Sequence, residues 1–311
     1  MKNTGRICIT ALCLTLLAVC QPIRTEAGFG FAKRAEPLNQ CAFFDEALFA
    51  ANTRAAKVYP ERKTLYAATV PHYAPALYLA ASVLKTAAES GPFDTVIVMG
   101  PDHEGKGNGV TVSNQGWSTH LGVLPCDPGI VESLKIQPDI NAKVDNVLMR
   151  TDHAVSVLTP YVKYYFPDCA MVSILINKDT SPTRLNALAR TVCEASKEKK
   201  ILVLASIDFS HYQTPEVAAE CDTATMRAVD RDDRAALLSM NGKNLDSPEC
   251  LAVILELGAL NGSAAVLIDY QTLYYNEHSK QYAASYLIYA LVAELSERCS
   301  MDESRCLYNT Y

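Results

Sequence analysis

Short apolar runs recur along the chain, separated by longer stretches in which apolar residues return at helical spacing. The runs Leu65 to Val70, Thr95 to Met99, Ala170 to Ile176, Ile201 to Ser206, Ala265 to Asp269 and Ala283 to Tyr289 predict buried strands. Helices are expected at Ala74 to Ser90, His153 to Phe166, Thr183 to Ser196, Pro215 to Ala228 and Pro248 to Leu260. This alternation predicts an α/β fold, a mixed sheet with helices on both faces. Gly109 to Leu124 breaks the rhythm with Gly, Asn and Trp117, and reads as a hairpin beside the sheet.

The amino terminus stands apart. Lys2 and Arg6 precede an uncharged, mostly apolar run from Ile7 to Cys20 that is too short to span a bilayer comfortably. Thr25 and Ala27 then supply the small residues a signal peptidase selects, so residues 1–27 are expected to be a signal peptide and residues 28–311 the mature domain. A rival cut precedes Cys20, because Leu17-Ala18-Val19-Cys20 resembles a bacterial lipobox, which would make Cys20 a lipid anchor. Either route implies export to the periplasm or the medium. No linker, low-complexity tract or repeat divides the rest, so a single domain is expected.

Composition narrows the function classes. The net charge is −6, the pI is near 5.6, and no block of Lys or Arg occurs, which argues against a nucleic-acid partner. No later apolar run is long enough for a transmembrane segment. Eleven cysteines suit an oxidising compartment, where Cys169 with Cys193, or Cys299 with Cys306, are candidate disulfides. A serine hydrolase is disfavoured, since no serine sits in a nucleophile-elbow motif.

Candidate chemistry gathers where the predicted strands end, the place where open α/β sheets hold ligands. The sequence has six histidines, and three of them follow strands: His72 in VPHYAP, His103 in GPDHEG and His211 in IDFSHY, with Asp208 just ahead of it. Two imidazoles and one anionic ligand form a common open metal shell. Cys250, near the start of an apolar helix in SPECLAVILELGAL, is the anionic candidate, because a helix amino terminus favours the thiolate. Each residue also has a plainer use: a loop histidine bonded to its surroundings, an aspartate capping a turn, a buried thiol packing as a small apolar group.

The order of these clusters, with WSTHLGVLPCD and DHAVSVLTPYV between them, resembles the Memo family, whose bacterial members are often called AmmeMemoRadiSam system protein B. The resemblance runs from about Leu65 to Val292. It implies a fold similar to the class III extradiol dioxygenases and one metal ion held by His72, His103 and Cys250. Fe(II) is the ion favoured by the family, with Cu or Zn as alternatives better suited to an oxidising compartment. It further implies an acid/base role for His211, with Asp208 as its orienter, and places His153 at the same pocket.

Three departures from the family pattern touch the substrate region: Tyr73 follows His72, Ser156 stands where relatives carry glutamate, and Glu104 replaces a second histidine. The expected function is therefore a metal-dependent oxidoreductase acting on a small phenolic or other oxygenated molecule. The alternative is a binding protein that keeps the fold and holds a small-molecule, peptide or metal ligand without turnover.

Overall fold

The computed structural model describes residues 37–41, 43–60, 64–276 and 278–293. The expected signal peptide, the Cys20 anchor and the Cys299 and Cys306 pair lie outside these residues. The elements run β1 (Asn39–Gln40), α1 (Glu46–Ala55), β2 (Leu65–Val70), α2 (Leu77–Ala88), β3 (Thr95–Pro101), β4 (Val110–Val112), β5 (Trp117–Thr119), β6 (Gly122–Leu124), α3 (Pro128–Ile136) and β7 (Lys143–Val144). They continue α4 (Asn146–Thr151), α5 (His153–Ser156), α6 (Thr159–Tyr165), β8 (Ala170–Ile176), α7 (Pro182–Ala195), β9 (Ile201–Ser206), α8 (Pro215–Asp230), α9 (Arg234–Leu238), α10 (Pro248–Leu260), β10 (Val266–Tyr274) and β11 (Ala283–Val292).

An eight-stranded mixed sheet in the order β10-β11-β2-β9-β3-β8-β4-β7 forms the centre. Its middle strands β2, β9, β3 and β8 are parallel, so their carboxyl ends open on one edge. Side-chain alternation along each strand feeds two cores. Val96 and Val98 of β3 join α2 and α6 on one face, while Ile97 and Met99 join α7 and α10 on the other. Helices on both faces are what the alternating sequence predicts, because parallel strands need both sides covered.

Several elements differ from expectation for identifiable reasons. The helix expected from Ala74 begins as a 3-10 turn at Ala74–Ala76, since Pro75 lacks an N–H and favours a helix start. The helix expected from His153 to Phe166 divides into α5 and α6, and Pro160 sits in the first turn of the second piece. The expected hairpin of Gly109 to Leu124 is shared between two sheets. β4 pairs with β8 in the main sheet, and β5 and β6 form a hairpin that pairs with β1. α1 and α3 were not expected, yet Asp45 and Asp127 cap them, each side chain accepting from main-chain N–H groups.

Cys169 and Cys193 are both free thiols, which corrects their proposed pairing. Cys169 is buried in the core shared with α2, whereas Cys193 packs against the opposite core. The sheet stands between them. No helix among the described residues is long and apolar enough to cross a membrane.

Candidate metal centre

Three loops leave the carboxyl edge of the parallel strands carrying His72, His103 and Asp208, and α5 begins beside them with His153. The ring centroids of His72 and His103 lie 5.1 Å apart, those of His72 and His153 5.1 Å, and His103 and His153 stack at 4.3 Å. One ligand atom from each of the three imidazoles lies within 4.8 Å of the others. A second group joins His72 to Asp208 and Asp246, their ligand atoms likewise within 4.8 Å of one another. The two groups share His72, which is buried at 3% exposure.

Hydrogen bonds fix how the imidazoles face. The Ser206 hydroxyl donates to the Ala154 carbonyl at 2.6 Å, so its oxygen accepts from Nδ1–H of His72 at 3.1 Å and leaves Nε2 directed elsewhere. Asp152 accepts from Nδ1 of His103 at 2.9 Å and from its main-chain N–H at 2.9 Å, and also caps α5 through the Ala154 N–H. Burial alone would raise the Asp152 carboxyl, but His103 and the Ala154 N–H outweigh it and hold its pKa below the usual value. A carboxylate behind an imidazole in this way sets the tautomer and raises the basicity of a metal ligand.

His72 Nε2 meets Asp246 Oδ2 at 3.1 Å and Asp208 Oδ2 at 3.7 Å. Burial pushes the His72 imidazolium down, but Asp208, Asp246 and Asp152 more than reverse this and hold its pKa at about 9. The metal-free imidazole is therefore protonated at neutral pH, and an ion loading onto it must displace that proton. His153 moves the other way. Burial, then the neighbouring His72 and His103, lower its pKa to about 4 and keep it neutral.

The Asp246 carboxylate suits a ligand role on two grounds. Its Oδ1 is buried with no hydrogen-bond partner, a costly state that an ion would relieve. Two ligand atoms about 2.1 Å from one ion and roughly at right angles stand about 3 Å apart, close to the observed His72 to Asp246 distance. The residues present thus fit a divalent ion at either of two groups that share His72, one completed by His103 and His153 and the other by Asp208 and Asp246.

Cys250 does not join this group. It is fully buried among the α10 and β9 side chains of the second core. Burial pushes its thiol strongly up, outweighing the Ser247 bond, so the helix terminus does not produce a thiolate there. Asp246 lies four positions earlier, just before the Ser247 cap of α10, and its main chain bonds to Asp208. Sequence reasoning missed it, although Asp-Ser-Pro marks the loop entering the helix.

Asp208 is in the group, but its bonds differ from those expected. Its Oδ1 accepts the main-chain N–H of His72 at 3.0 Å and of Tyr73 at 3.4 Å, which positions the β2 loop rather than His211. His211 donates Nδ1–H to the Phe209 carbonyl at 2.8 Å and packs its ring on Tyr212. It is not one of the clustered ligand residues.

Comparison with known proteins gives the family. A MEMO1 family protein of Archaeoglobus fulgidus is 28% identical over 227 residues, covering 69% of this chain and 82% of its own. One of Pyrobaculum arsenaticum is 32% identical over 168 residues, covering 53% and 59% respectively. The solved structure of an uncharacterised protein, JW3007 of Escherichia coli K12, aligns with a TM-score of 0.48 and 16% identity, covering 72% of this chain and 99% of that one. The model of the Memo-like protein family matches residues 27–290, and the chain belongs to that family.

Proposed function

We propose that the protein is an exported metal-dependent oxidoreductase whose ion, Fe(II) by preference, is held by His72, His103 and Asp246. The observation that carries this reading is the 3.1 Å approach of the Asp246 carboxylate to His72 Nε2 beside a clustered His103. Two histidines and one carboxylate with open positions are the donor set of non-haem Fe(II) oxygenases. When bound, such an ion would supply a Lewis-acid centre for chemistry on a small oxygenated substrate. A copper ion drawn by a soft thiolate fits less well once a carboxylate stands in its place, whereas two histidines and a carboxylate also suit Zn.

The protein's own groups then divide the remaining work. Ser206 and Asp152 hold the two imidazoles through Nδ1, which leaves Nε2 of each as the ligand atom. His153 is a neutral imidazole at the same place, able to accept a hydrogen bond from a ligand. Burial and the nearby Asp246 raise the Asp208 carboxyl against the opposing His72 charge, which suits it to take up a proton. Export rests on Lys2, Arg6 and the apolar run from Ile7 to Cys20.

Oxygen uptake by iron-loaded protein, screened against ortho-dihydroxy and ortho-aminophenol aromatics, tests the reading. Uptake that needs both substrate and iron, and is lost in His103→Ala, is expected. Full iron loading without uptake on any member would leave a metal-binding protein without turnover.

A further inference from the structure

The eight-stranded sheet ends on two unlike strands. At one edge β7 is two residues long, both exposed and one of them Lys143, so it offers little to a further strand. At the other edge β10 runs nine residues, VLIDYQTLY, without Pro, Gly, Lys or Arg. It pairs on one side only, antiparallel to β11. Alternate residues of such a strand turn N–H and C=O away from the sheet. Among the described residues, no main-chain group of β10 bonds to any element other than β11. Val266, Leu267 and Tyr270 are exposed along this row. A bulge between Leu267 and Asp269 bends only the first residues, and Asp269 to Tyr274 then pair with Ile288 to Ala283 without a break.

Charge selects the kind of strand that fits. Asp269 is the one charged residue of β10, and it accepts from Lys57 at 2.7 Å, from the Tyr59 hydroxyl at 2.7 Å and from Gln271 at 2.8 Å. The edge thus has no uncompensated charge with which to draw an acidic or a basic segment. It suits a neutral, apolar strand, and a second copy of β10 is such a strand. A two-fold axis perpendicular to the sheet runs the two copies antiparallel and keeps each face on its own side. Directly opposed residues must then share a face, so the axis passes through a residue and not between two. With Tyr270, Gln271 or Thr272 on the axis, Asp269 stands opposite Gln271, Leu273 or Tyr275. It never meets its own copy, the arrangement that would destabilise the pair.

We infer that β10 is the contact of a symmetric dimer, in which two copies of this chain pair edge to edge, antiparallel, and join their main sheets into one. The outward N–H and C=O groups of each copy satisfy those of the other, and the exposed apolar side chains beside them leave water. A strand pair of this length lies at the small end of specific interfaces, under about 1,200 Å² in total, so the dimer dissociates on dilution. The pairing is independent of the metal centre.

Sedimentation velocity of the full chain between about 1 and 100 µM tests the dimer. A concentration-dependent dimer is expected, and Thr272→Lys, which sets a charge on the edge, should weaken it about tenfold in chains shown by circular dichroism to be folded. A residue on the axis meets its own copy at a Cα separation of about 4.5 to 5.5 Å, within reach of a disulfide. One of Tyr270→Cys, Gln271→Cys and Thr272→Cys should therefore give a covalent dimer on oxidation with diamide, above the level that the native thiols give in wild type. A chain that stays monomeric across the range overturns the proposal and leaves the edge to water or to another protein. A dimer that Thr272→Lys leaves unchanged and that none of the three cysteines links overturns it equally, because such a dimer uses another surface.

Discussion

The Asp152 carboxylate holds His103 twice, through the ring Nδ1 and through the main-chain N–H, both at 2.9 Å. One side chain therefore sets the position of the β3 loop and the tautomer of the imidazole it carries. Asp152 is also 2% exposed, so water cannot take its place. Replacing it by Ala should lower metal affinity by about 10- to 100-fold while the fold persists. Competition against a chelator of known affinity measures this, and an unchanged affinity would deny Asp152 its role.

The stack of His153 on His103 depends on how closely α5 approaches β3. Gly100 permits that approach, since a Cβ there would stand 2.7 Å from the Ala154 Cβ. Gly100→Ala must push α5 away and carry His153 with it. A loss of about 1–3 kcal/mol in stability is expected in urea unfolding, with weaker metal binding in the folded fraction. Undiminished stability would mean that the helix shifts freely.

Acid should weaken the tie between α3 and the amino end of the sheet. Asp127 accepts from Lys199 at 2.5 Å and from Thr95 at 2.7 Å. Burial would raise its carboxyl, but these bonds and the Ile130 N–H overcome it and depress the pKa. A depressed folded pKa contributes stability above the unfolded value of about 3.9, lost as pH falls through the folded one. Asp127→Asn should lower Tm at pH 7 by on the order of 3 °C, with the gap narrowing only as pH falls below the unfolded value of about 3.9. A gap that stayed constant with pH would show that the charge is not involved.

Much of the scaffold was legible because a buried parallel strand must be apolar on both faces. β3 and β9 stand where their runs predicted, and His72, His103 and Asp208 follow strands as the motifs implied. The proposed anionic ligand was not legible. A thiol near a helix start suggested a thiolate, but Cys250 is the third helical residue and faces the core, and only the folded helix shows this. Asp246 precedes the cap and looks like an ordinary loop residue.

Asp246, and not Cys250, is the residue proposed to complete the metal shell with His72 and His103. Metal analysis of wild type, Asp246→Ala and Cys250→Ser after loading with Fe(II) without oxygen tests it most directly. Near-stoichiometric iron is expected in wild type and Cys250→Ser, with loss of most of it in folded Asp246→Ala. Full iron in Asp246→Ala with loss in folded Cys250→Ser would contradict it.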